Sequence, residues 1–133
     1  MDGDSTSTFY QRCEKKRPTI LFFKTTKGAR FGGFTTQFWK CSEGDYIGDD
    51  KSFVFSLDKR EKYKVVNTKR TLCCRKDFFQ FGYCCFRICD NCTSVGGFIY
   101  NDKIYYDIPR NYGLTGGEKQ FTISSYEVYQ VEF

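Results

Sequence analysis

Histidine is absent from this 133-residue chain. That removes every Ser-His and Cys-His catalytic pair and every imidazole metal ligand. Any reaction would fall to carboxylates, lysine, tyrosine or cysteine. Methionine and tryptophan occur once each, and proline twice. No run of about 18 apolar residues exists, so no membrane-spanning helix is expected. The opening residues, MDGDSTST, are polar and acidic. They suit neither a secretory signal nor a basic transit peptide, and the expected location is the cytoplasm. There is no phosphate-loop signature ending in Gly-Lys-Ser/Thr, and no glycine pair stands between a strand and a helix. Nucleotide binding therefore has no support.

Aromatic residues are plentiful: 15 Phe and 10 Tyr, with the tryptophan, make up 20% of the chain. This is a β-rich globular composition, and the length suits one domain over residues 1–133 with a real core. The stretch Thr19–Trp39, TILFFKTTKGARFGGFTTQFW, carries the most information. Thr19–Thr25 is β-branched and aromatic, which suits a pleated, half-buried surface. Lys27-Gly28 supplies a turn, since glycine accepts positive φ without steric cost. Arg30–Thr36 then carries Gly32 and Gly33 in mid-strand, a mark of a bulge or of close backbone approach.

A short helix is expected to start at a cap on Asp4 or Ser5 and to end near Lys15–Arg17, with Phe9 and Cys13 on one face. Cys41–Asp50 reads as a loop. Ser52–Leu57 reads as a buried strand with Phe53, Phe55 and Leu57 on one face, and Tyr63–Val66 as another strand. Asn67–Phe81 is ambiguous. Tyr83–Ile88 is a strand, and Cys89–Gly97 a polar turn. Gln120–Ser124 and Tyr126–Phe133 are expected to close the chain as two strands. Short strands separated by turn signals indicate a mainly β protein, an antiparallel β-sandwich with short flanking helices.

Net charge is +5 and uneven: between Lys59 and Lys76, eight basic residues face one acid, Glu61. Aromatic residues do not interleave these charges as nucleic-acid readers require, so no nucleic-acid partner is expected. The eight cysteines are 13, 41, 73, 74, 84, 85, 89 and 92. Without a signal for secretion, free thiols are the expected state. Cys89 and Cys92 have C-x-x-C spacing, which serves a redox disulfide or half a zinc site. Vicinal cysteines on a strand point to opposite faces and complete such a site poorly. Buried or incidental thiols are the plainer reading, and no metal or other cofactor is expected. Glu118 and Glu127 are the best-placed lone acids, but a glutamate among strand residues usually has a structural partner. The protein is not expected to be an enzyme.

Taken in order, DGDSTSTFYQRC, RPTILFFKTTKGARFGGFTTQFW, DDKSFVFSLD, FGYCCFRICDNC and GGEKQFTISSYEVYQVEF resemble the TLDc domain over almost the whole chain. The segments FGGFTTQFW and GGEKQF…YEVYQVEF are the most specific. The resemblance implies a β-sandwich flanked by short helices. It also implies a non-enzymatic interaction module linked to protection against oxidative damage and to binding or regulating the V-ATPase through its peripheral subunits. Family positions that map here are Gly32, Gly33, Trp39, Asp50, Phe53, Phe55, Gly117, Glu118, Phe121, Glu127 and Val128, most of them architectural. Measured against the family, the chain is expected to lack the first helix and strand. A redox or zinc-binding protein built on Cys89 and Cys92 is the alternative.

Overall fold

Thr19–Thr25 forms β1 and Arg30–Thr35 forms β2, joined where the lysine–glycine turn was expected. Gly28 sits in that turn at φ +94°, a conformation that side chains resist. The computed structural model describes residues 6–13, 16–39, 46–75, 78–82, 86–89, 97–99, 106–108 and 113–131. Around the hairpin lie β3 (Tyr46–Ile47), β4 (Phe53–Ser56), β5 (Glu61–Lys64), β6 (Leu72–Arg75) and β7 (Phe78–Phe81). Then follow β8 (Phe86–Cys89), β9 (Gly97–Phe98), β10 (Gln120–Phe121) and β11 (Ile123–Gln130). One sheet has the order β11-β1-β2-β4-β5 and the other β10-β9-β8-β7-β6-β3, with every strand pairing antiparallel. This is the expected mainly β sandwich.

Phenylalanines from both inner faces fill the space between the sheets. Phe86 of the second sheet lies 5.8 Å from Phe23 and 5.1 Å from Phe31 of the first, both edge-on. Such pairs add to the burial energy of the rings themselves. The helix α1 (Thr6–Cys13) closes one end of this core. Its Phe9 stacks on Phe79 at 3.6 Å and meets the Trp39 ring edge-on at 5.0 Å. Phe9 and Cys13 are both fully buried, as their four-residue spacing requires. The expected cap residues Asp4 and Ser5 lie outside the described residues. No helix among the described residues is long and apolar enough to cross a membrane.

Several segments differ from the sequence expectation, among them the polar turn assigned to Cys89–Gly97, whose two end residues lie in β8 and β9. Asn67–Phe81, ambiguous by composition, holds the adjacent strands β6 and β7. The loop assigned to Cys41–Asp50 contains β3, pinned to β6 at Tyr46 and Ile47. In β4, Phe53, Phe55 and Leu57 share one face as expected, and that face is the outer one, where Phe55 is still buried, while Val54 and Ser56 face the core. The register explains this, because Val54 pairs with Gly33 and Ser56 with Phe31, which both face inward.

Two C-terminal strands are present, but they divide at Thr122, so that Ile123 and Ser124 join the second, and they lie in different sheets. Thr122 is the crossover between them. The Thr26 backbone N–H donates to the Thr122 carbonyl at 2.9 Å, and their hydroxyls meet at 2.7 Å.

Candidate functional site

Gly32 and Gly33 sit back to back in β2, and each leaves room for a ring on its own face. On the inner face, a Cβ at Gly33 would lie 2.6 Å from Phe81 Cε1, so the Phe81 ring occupies the missing side chain's place. On the outer face, a Cβ at Gly32 would collide with the Leu21 carbonyl and lie 2.6 Å from Phe55 Cζ. Phe22 of β1 and Phe55 of β4 flank Gly32 in register and meet across it, edge to face, at 5.4 Å. Pairing on both sides of β2 is continuous, so the pair marks close approach and not a bulge. The register shift in this sheet falls instead between Lys24 and Thr25.

The outer face that results is largely apolar. Ile20, Phe34 and Phe53 form a second row beside Phe22 and Phe55, with Phe34 and Phe53 stacked at 5.0 Å. Tyr129 extends it onto β11, 5.7 Å from Phe22, and Leu57 onto the β4–β5 turn. Tyr129 is 50% exposed and Leu57 40%. Arg60 closes the turn with φ +54°, the one described non-glycine residue in left-handed backbone. Asp58 in this turn accepts from the Arg30 backbone N–H and from Arg30 Nε, each at 2.9 Å. The backbone hydrogen bond, and then the guanidinium, hold its carboxyl below the usual aspartate value.

A polar knot ties the sheets at the opposite end. Asp49 is buried, and its carboxylate accepts from Thr35 Oγ1 at 2.7 Å, Thr36 N at 2.7 Å, Thr36 Oγ1 at 2.9 Å and Lys51 N at 3.0 Å. Thr71, which leads into β6, donates its hydroxyl to the Asp49 carbonyl at 3.1 Å. The Tyr106 hydroxyl lies 2.7 Å from Ser52 Oγ and 3.1 Å from the Thr71 carbonyl, extending the knot. Leaving these buried polar atoms unsatisfied would be costly. Asp50, the family position assigned from the sequence, is exposed and lines a surface hollow with Lys51 and Lys64. Its neighbour Asp49 was missed, although the threonine pair at 35 and 36 was a usable sign of an acceptor nearby.

The remaining sequence-assigned residues are dispersed. Trp39 is buried between Phe9, Phe79 and Phe81. Gly117 adopts φ +99° in the turn before β10. Glu118 faces Lys27 at 3.7 Å across the hairpin turn, and its carbonyl accepts the Thr115 hydroxyl. Glu127 lies exposed on β11 and accepts the Tyr129 hydroxyl. Val128 packs against the core, and Phe121 is within it. The two glutamates therefore have structural partners and are not gathered around a common cleft.

Cys89 ends β8, and Cys92 lies outside the described residues. Among the described residues no group of three or more Cys, Asp or Glu is placed to hold a metal ion. Cys74 is disulfide-bonded, so the expectation of free thiols fails there. Spatial proximity imposed by the fold decides pairing, and sequence context does not report it. Cys13 is a buried thiol in the core, and that burial pushes it up to about 12. At neutral pH it therefore carries far less thiolate than an ordinary exposed cysteine. Brief alkylation of the native protein with iodoacetamide is therefore expected to spare Cys13, and alkylation in guanidinium to modify it, as read by peptide mass spectrometry. Equal labelling in both states would contradict its burial.

The family model described as the TLDc domain matches residues 1–132. Among curated relatives, the MTOR-associated protein MEAK7 of Danio rerio is 39% identical over 57 residues, covering 43% of this chain and 12% of that protein. The GTPase-activating protein skywalker of Drosophila melanogaster is 37% identical over 73 residues, covering 48% of this chain and 12% of that protein. The matched part of the chain thus spans about an eighth of the length of these relatives. With a match that runs through both sheets and the helix, the chain belongs to the TLDc domain family.

Proposed function

We propose that this chain is a non-enzymatic protein-interaction module acting in the cytoplasm. Its partners would be V-ATPase peripheral subunits, in a setting of protection against oxidative damage. The observation that carries this reading is the outer face of the first sheet. Ile20, Phe22, Phe34, Phe53, Leu57 and Tyr129 lie there half-buried or exposed, on a scaffold whose central buried carboxylate is committed to joining the sheets. Contiguous apolar surface of this kind marks interaction sites. One relative, moreover, bears a name that describes association with another protein.

Tagged full-length chain used as bait in a cell extract, with mass spectrometry of the captured proteins, tests the reading. Enrichment of V-ATPase peripheral subunits over an unrelated β-sandwich control is the expected result. A bait that is folded by circular dichroism yet enriches no pump subunit would remove the V-ATPase assignment.

A further inference from the structure

Among the described residues, one shallow recess in the outer face combines apolar and charged lining. It is a cleft of about 420 Å³ between β1 and the β4–β5 hairpin. Phe22, Phe53, Phe55 and Leu57 make its apolar floor and wall, and Arg60 and Lys62 make its lip. The lip carries two cations against one acid, Glu61. Lys62 Nζ stands 5.0 Å from the Phe53 ring centre, so one cation already leans over the apolar floor. The adjoining hollow adds Lys51 and Lys64 against Asp50 and Asp107. The adjoining hollow is thus balanced, and the lip itself keeps a net excess of one positive charge, with Arg60 and Lys62 against Glu61.

The wall is held in place by its turn. The Arg60 N–H donates to the Leu57 carbonyl at 3.3 Å, and the Asp58–Arg30 contacts anchor the same turn to β2. Arg60 occupies left-handed backbone, where glycine or asparagine would be the easier residue. A cation is thus kept at the lip in a conformation that costs stability, and such outliers concentrate at binding sites.

We infer that this cleft is a docking site for an acidic linear peptide that inserts an apolar side chain beside its carboxylates. The apolar floor takes the side chain, and Arg60 and Lys62 meet the flanking acids. Charge complementarity selects this occupant, since a basic or neutral apolar segment would leave the lip unpaired. The inference rests on the interaction-module reading and specifies where and with what chemistry the module binds.

Fluorescence anisotropy with labelled peptides tests it on the full chain. The first probe has leucines set among glutamates, the second replaces glutamate with lysine, and the third replaces leucine with serine. Only the first is expected to bind measurably. Lys62→Glu and Leu57→Ser, both at exposed positions, should each weaken it on the order of tenfold. Arg60→Gly is the sharper variant, because it removes the cation while suiting the backbone, so weaker binding cannot be ascribed to a strained turn. Equal binding of all three probes would overturn the inference, as would unchanged affinity in all three variants. A concentration-dependent dimer that Lys62→Glu dissociates would assign the face to a second copy instead. So would phosphatidylserine vesicles that bind where the acidic peptide does not, in that case assigning it to a membrane. If the variants keep every partner that the wild-type bait captures, the cleft is excluded and the module reading stands. A wild-type chain with neither partner nor peptide removes both.

Discussion

Asp49→Ala is expected to lower the unfolding free energy by about 2–4 kcal/mol, because it removes the one carboxylate on which four donors converge. Four donors point at this one carboxylate: two threonine hydroxyls and the backbone N–H groups of Thr36 and Lys51. Hydroxyls can turn elsewhere, but backbone N–H groups cannot. Asp50→Ala, one position along and exposed, should change stability by less than about 0.5 kcal/mol. Chemical denaturation of the pair gives the comparison. In a heating experiment the Asp49 variant should lose on the order of 10–20 °C in Tm. Equal effects at the two positions would mean that the knot does not join the sheets. Asp49→Asn is expected to fall in between, since it keeps one acceptor oxygen for four donors.

The second large effect belongs to the glycine pair. Replacing glycine by alanine in a strand normally gains about 0.4–1 kcal/mol by restricting the unfolded chain. Gly32 and Gly33 are not among the residues with positive φ, so backbone conformation does not forbid alanine there. Contact does. At Gly32 the new methyl meets the Leu21 carbonyl of the paired strand, which cannot yield without opening the β1–β2 ladder. The expected loss for Gly32→Ala is about 3 kcal/mol or more. At Gly33 the obstacle is the Phe81 ring, which can tilt, and the loss should be about 1–3 kcal/mol. Gly28→Ala provides a contrast, with no atom within 4 Å of the new Cβ but a φ of +94°. Its cost, about 1 kcal/mol, is purely conformational. If Gly32→Ala proved no worse than Gly28→Ala, the close approach of β1 and β2 would be wrong.

The hairpin at Thr19–Thr35 was legible in the sequence because its signals are local: β-branched and aromatic runs and a lysine–glycine turn. The helix face was legible too, through the spacing of Phe9 and Cys13. What escaped depends on contacts between distant segments. Both sides of β4 are apolar or small, so alternation could not say which side is buried; pairing with Phe31 and Gly33 decides it. Asp49 and Asp50 are adjacent acids in one turn, and only the threonines at 35, 36 and 71 tell them apart. Cys74 reads like any other thiol until the fold supplies its partner. The cleft was invisible for the same reason, since Phe22, Leu57 and Arg60 become neighbours only when β1 and the β4–β5 hairpin share a sheet.

The crossover at Thr122 governs the order in which the chain acquires its structure. Because β11 pairs with β1, the first sheet draws together segments far apart in the chain; Ser124 and Lys24, in hydrogen-bond contact, are 100 positions apart. During synthesis β1 emerges long before its partner exists. Its TILFF run must wait with one edge open and an apolar face on each side. Contacts this distant slow folding and leave sticky intermediates. Truncation before Ile123 should therefore expose the β1 edge on the ribosome and on release, and yield aggregates in place of a smaller folded protein.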